Sequence, residues 1–209
     1  MEDGNAVGLR QLRYSFQEDE PWGGLTDETS VMYRLFQQPE LRDAAQPEKY
    51  NVIKLICLGL MLCGGDADLK ARVFYDALQD NMQLKISSSD KDFKVVFGYM
   101  VELSCYMMLR IYREEARAPM MTGHYPKPGT VDFENLLDDF MEDFLDTIFG
   151  QQSNLSREDF LMNVQDRTKW IFESEDIRER WDKLCCPLQN RSPDQGPKPL
   201  TIETENLNA

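Results

Sequence analysis

Phe74-Tyr75-Asp76-Ala77-Leu78, then the loop Gln79 to Asp90 with a lone aliphatic at Ile86, then Phe93, Val96 and Phe97 read as helix, polar loop and helix. The plan returns further along the chain. Phe144-Leu145-Asp146-Thr147-Ile148-Phe149 leads into Gly150 to Asp159, where Leu155 takes the place of Ile86, and Phe160-Leu161-Met162 follow. In both copies the flanking segments carry apolar residues three or four apart, the spacing of a helix with one buried face. The expected fold is therefore all-α, built of paired helix–loop–helix units whose loops pair briefly.

Outside these units the chain punctuates itself clearly. Residues 1–25 carry few periodic apolars, and Glu18-Asp19-Glu20-Pro21 reads as part of an extended lead-in from which Trp22 can dock on the core. Asp27 is placed to cap a helix bearing Val31, Tyr33, Leu35 and Phe36 that stops near Gln38-Pro39. Pro47, at a first helical position, opens the next helix, with Val52, Ile53, Leu55, Ile56, Leu60 and Met61 on a broad apolar face and Gly64-Gly65 at its close. Asp66 caps the helix after that. Ser87 with Asp90 resembles a capping box opening the longest helix, from Phe93 to Ile111, with Arg110, Arg113 and Arg117 where the helix dipole favours cations. Pro119 to Gly129 is a linker or ordered loop. Phe133, Leu136, Leu137, Phe140, Met141, Phe144, Leu145 and Ile148 then continue without a break, and Ser156 with Asp159 makes a second capping box. Trp170, Ile171, Phe172, Ile177 and Trp181 mark one or two last helices. The helical domain is thus expected over residues 26–184, divisible into lobes 26–118 and 130–184, with a disordered tail over 185–209.

Across 209 residues, 42% hydrophobic and 11% aromatic content is that of a globular chain. A net charge of −14 argues against nucleic acid or an anionic membrane surface and suits a basic protein face. Cys57, Cys63 and Cys105 lie in apolar helical stretches, where a reduced thiol behaves as a small hydrophobe, whereas Cys185 and Cys186 fall in the expected tail. An odd five cysteines and an acidic Met1-Glu2-Asp3-Gly4 start point to a reducing, cytoplasmic setting. The longest apolar run, Leu55 to Cys63, is too short for a transmembrane span.

From Lys49 to Trp181 the order of elements resembles the neuronal calcium sensor and calcineurin-B-like branch of the EF-hand superfamily. The resemblance is carried by the exiting helix Val52-Ile53-Lys54-Leu55 to Cys63, the hinge Gly64-Gly65-Asp66 and the entering helix Leu69-Lys70-Ala71-Arg72-Val73-Phe74. A loop, a long exiting helix, a linker, an entering helix, a last loop and a C-terminal helix follow in the family's order. An additional unit spans Val31 to Leu58, with Pro39 and Pro47 in its loop. Calcium in such a loop needs oxygen ligands at positions 1, 3, 5 and 12 and Gly at position 6. The first loop offers Gln79, Asn81, Gln83 and Asp90, with Leu84 at the glycine position. The second offers Ile148, Gly150, Gln152 and Asp159, with Ser153 there. One acid per loop is too few for a tight site, and Glu2 stands where myristoylation needs glycine. What the resemblance implies is the scaffold, paired units whose hydrophobic groove holds a partner helix, without metal or other cofactor.

Catalytic constellations are sparse. The single histidine, His124, sits in the Gly/Pro-rich loop, where Cys105 or Cys63 could meet it only through the fold. No phosphate loop, nucleophile elbow or dinucleotide fingerprint occurs, and adjacent Cys185-Cys186 lack a second ligand pair for zinc, though as exposed thiols they could accept palmitate. Asp138, Asp139, Glu142, Asp143 and Asp146 read as a solvated helix face or a basic-partner surface. Met100, Met107, Met108, Met120 and Met121 suit packing or an adaptable groove. The expectation is a non-catalytic adaptor that holds an amphipathic, basic-flanked helix, largely without calcium, in a groove lined by Phe97, Met100, Met107, Phe140, Phe144 and Phe160. Two alternatives stand beside it. One is a calcium sensor with one irregular loop using Asp90 or Asp159, and the other is a structural subunit of a cytoskeletal or ciliary assembly.

Overall fold

The computed structural model describes residues 6–15, 27–78, 85–116 and 125–189, and over these the chain is mostly helical. The order is β1 (Ala6–Gly8), α1 (Leu9–Ser15), α2 (Val31–Phe36), a 3-10 turn (Pro39–Leu41), β2 (Lys49–Asn51), α3 (Val52–Leu62), α4 (Ala67–Leu78) and β3 (Lys85–Ser87). Then come α5 (Lys91–Val101), a π-helical stretch (Glu102–Met108), α6 (Leu109–Ala116), α7 (Val131–Phe149), β4 (Asn154–Ser156), α8 (Arg157–Arg167), a 3-10 turn (Lys169–Phe172) and α9 (Ser174–Gln189).

The two loops do meet. β3 and β4 pair antiparallel with Ile86 opposite Leu155, and both side chains are buried. A second ladder joins β1 to β2, with Val7 opposite Tyr50. Three times, then, a three-residue strand with a buried middle residue (Tyr50, Ile86, Leu155) precedes a helix. In two of these the last strand residue is the cap. Asn51 Oδ1 accepts from Lys54 N–H at 3.0 Å, and Ser156 Oγ accepts from Asp159 N–H at 3.1 Å while donating to Asp159 Oδ2 at 2.8 Å.

The first loop departs from that pattern and from the expected capping box. Ser87 belongs to the strand, and α5 begins only after Ser88 and Ser89, with Asp90 as its cap accepting from Asp92 N–H at 3.2 Å. Other expected boundaries also shift. Ser30, not Asp27, caps α2, because the Asp27 carboxylate is taken by the Thr29 N–H and hydroxyl. Pro47 does not open α3, since β2 intervenes. The N-terminal segment is not wholly extended, for α1 buries Leu12. At the other end α9 continues to Gln189 and buries Cys185, so the helical part outlasts the expected start of the tail, while residues 190–209 lie outside the described residues. Asp66 caps α4 as expected, accepting from Leu69 N–H at 2.7 Å. Arg110, expected at a helix end for the dipole, instead forks onto Glu40 at 2.6 and 2.7 Å and ties α6 to the turn after α2.

The core is aromatic. Phe97 packs edge-on to Phe144 with centroids 4.8 Å apart, and Phe74 touches Phe97, Phe144, Phe160 and Phe172. Buried residues from α2 to α9 form one continuous cluster. Lys91–Glu114 is long and apolar enough to cross a membrane by length and composition, but Phe93, Val96, Phe97, Met100, Leu103 and Met107 make its apolar side part of that cluster.

Candidate protein-binding surfaces

All six residues expected to line a groove are buried: Phe97, Met100, Met107, Phe144 and Phe160 at 0% exposure and Phe140 at 3%. The fold does bring the aromatic ones together, directly for Phe97, Phe140 and Phe144 and through Phe74 and Phe93 for Phe160. What covers them is the chain itself. Trp170 and Trp181 lie against Phe140 with centroids 5.5 and 5.8 Å away, and Phe172 packs on Phe74. The C-terminal turn and α9 therefore occupy the position that a partner helix was expected to take.

An open apolar surface lies elsewhere. α3 buries Cys57, Leu58, Leu60 and Met61 on one side. Its other side, with Val52, Leu55, Ile56, Gly59 and Leu62, and the bordering Leu58 combine with Val7, Leu12, Met32, Leu35 and Phe36 to line a cleft of about 610 Å³. No ionisable group but the Cys63 thiol lines it, and Leu62 on its rim is 47% exposed. Such a surface holds no charged side chain to orient an ionic ligand. It can bury an apolar face. The signal was present in the sequence, because Val52 to Leu62 is apolar at every position but Lys54 and Gly59, more than one core-facing stripe requires.

The loops offer little to a cation. In the second, Gly150 turns at φ 55° and the loop is closed by protein groups: Gly150 N–H donates to Asp146 O at 2.9 Å, and Asn163 Nδ2 donates to Ile148 O at 2.9 Å. Asp159 lines a polar hollow of about 290 Å³, but Arg167 lines it too. Asp90 is turned to the helix cap. Among the described residues no three acidic, histidine or cysteine side chains converge. Gln79, Asn81, Gln83 and Leu84 of the first loop lie outside the described residues, as do His124, Met120 and Met121.

The cysteines divide differently from expectation. Cys63 is exposed at the end of α3, and Cys185 is buried in α9. Burial pushes the Cys57 and Cys185 thiols up to about 12, and it raises Cys105 well above its ordinary value. A buried thiol held protonated is a poor nucleophile, and Cys105 is fully buried. No family model, no curated protein and no solved structure matches this chain.

Proposed function

We propose that this chain is a non-catalytic adaptor: EF-hand-like units with loops that do not depend on calcium, docking an amphipathic helix of another protein in the cleft between α1, α2 and α3. The observation that carries the reading is the cleft itself, about 610 Å³ lined by apolar side chains with Leu62 open at its rim. Anchor residues spaced along one face of a helix would each contribute roughly 1.5–3 kcal/mol on burial there. The docking face is placed here and not at Phe97, Phe140 and Phe144, because Trp170 and Trp181 already fill the space over that cluster.

The EF-hand-like assignment is supported by the Ile86–Leu155 pairing and by Asp159, the third residue of α8, at the last position of its loop. The sensor alternative rests on Asp90 or on that same Asp159; Asp90 caps α5, and Arg167 in the hollow beside Asp159 opposes a cation. Affinity purification in calcium and in chelator separates the two. The adaptor recovers the same helix-bearing partner in both buffers. Recovery in calcium alone would replace the adaptor with the sensor.

A further inference from the structure

Of the four short strands, β2, β3 and β4 each stand between two helices, whereas β1 has a helix after it and, among the described residues, none before it. Both ladders, β1–β2 and β3–β4, join antiparallel strands that lead into helices. The β3–β4 pair has all four of its helices and shows what the one absent beside β1 would do. There, the helix entering one strand covers the helix leaving the other. α4 lays Phe74 and Tyr75 against Phe160 of α8, with centroids 6.3 and 5.6 Å apart. α7 lays Phe140 and Phe144 against Phe97 of α5, at 6.0 and 4.8 Å. Both covered residues, Phe160 and Phe97, are fully buried.

α3 matches α8 position for position. Tyr50-Asn51-Val52 and Leu155-Ser156-Arg157 are each a buried strand centre, a cap and a first helical residue, which sets Leu55 against Phe160 and Gly59 against Val164. Phe160 and Val164 are closed off, whereas Leu55 is half-buried and lines the α1–α3 cleft with Gly59. A Cβ built on Gly59 meets no atom within 4 Å. The open face of α3 is thus the face that α4 covers on α8. That cover has a direction. Asp76, late in α4, lies 3.9 Å from Arg157 at the start of α8, and Asp68, early in α4, accepts from Gln165 at 2.7 Å, so the two helices run antiparallel.

We propose that the partner helix docks as the entering helix that β1 lacks, antiparallel to α3, with a large apolar side chain over Leu55 and into the space above Gly59. Val52 stands where α8 has Arg157, so the partner carries an apolar residue where α4 carries Asp76. This rests on the adaptor reading and adds to it the direction and the anchor.

The probe is a synthetic helix of about 12 residues, roughly the length of α3, with Leu and Phe on one face and Glu–Lys pairs on the other so that its net charge is zero. One isomer carries a thionitrobenzoate-activated cysteine at its N-terminus, the other at its C-terminus. The reporter is Cys63, exposed at the C-terminal end of α3 and part of the cleft lining, in the full chain bearing Cys186→Ser, where the other three thiols are buried. Its thiolate attacks the peptide sulfur, a protein–peptide disulfide forms and thionitrobenzoate leaves. Antiparallel docking holds the N-terminus at Cys63, so that isomer should react about tenfold or more faster than the C-terminal isomer and than a scrambled peptide. Equal acceleration of both isomers, or a faster C-terminal one, overturns the entering-helix placement and leaves the adaptor reading standing. No acceleration of either over the scrambled peptide removes both. Gly59→Leu should melt no earlier than the wild type, since it gains helix propensity in open space, and should bring the N-terminal isomer down to the scrambled rate. An undiminished rate in Gly59→Leu would put the peptide outside the cleft and overturn the proposal.

Discussion

Phe97, Phe140 and Phe144 in the molecule's centre and Leu55, Ile56 and Leu62 on α3 are equally apolar, yet the first group is closed and the second lines an open cleft. The difference lies in what stands opposite. Trp170 and Trp181, brought back from the C-terminal end, cover the first group, whereas α1 and α2 only flank the second. Helical spacing states which residues share a face. Whether the chain supplies its own cover is decided by contacts far apart in sequence.

α3 holds both cases on one helix, with Cys57 on its core side and Cys63 at the cleft, so thiol labelling gives the widest contrast. At about 12 instead of 9.0, the Cys57 thiol has about a thousandfold less thiolate near neutral pH, and it is also fully covered. Cys63 and Cys186 should label quickly in the native protein, and Cys57, Cys105 and Cys185 should label only on unfolding. Fast labelling of Cys57 would mean that the closed side of α3 opens.

Next in size is Phe144→Ala, which removes a ring in contact with Phe74, Phe93, Phe97 and Trp170. It should lower unfolding free energy by about 3–5 kcal/mol in a denaturant titration. A loss below about 1 kcal/mol would indicate that the centre is not closed. Ser156→Ala tests the smallest contrast, between the loop that is capped at its strand and the one that is not. Losing the bonds to Asp159 should cost about 1 kcal/mol, whereas an unchanged melting curve would show that the cap adds nothing.

Much of the fold was legible. The repeated helix–loop–helix with Ile86 and Leu155 gave the pairing of the two loops, and Asp66 and Ser156 gave true caps. Asp27, Pro47 and Ser87 misplaced boundaries for one physical reason. Several residues in each stretch can cap or open a helix, and the choice passed to those beside a strand or turn that only the fold creates, Ser30, Asn51 and Asp90. The site was less legible. The expected groove's aromatic and methionine residues were correctly read as apolar helix faces, but nothing local to Phe140 records that Trp170 and Trp181 lie against it. Cys63 and Cys185 changed places because α3 stops at Leu62 and α9 continues past Cys185.

Paired melts and partner captures of Leu62→Asp and Met107→Gln separate a partner helix docked on the α1–α3 cleft from one docked on the aromatic centre. Leu62 is 47% exposed and Met107 fully buried. Leu62→Asp should melt with the wild type, within about 0.5 kcal/mol, and lose the partner. Met107→Gln should lose roughly 2 kcal/mol or more, since it leaves an amide in an apolar site, and should still capture the partner through whatever fraction stays folded. Undiminished capture by a well-folded Leu62→Asp protein, or loss of capture by Met107→Gln with an unchanged melt, would contradict docking on the cleft.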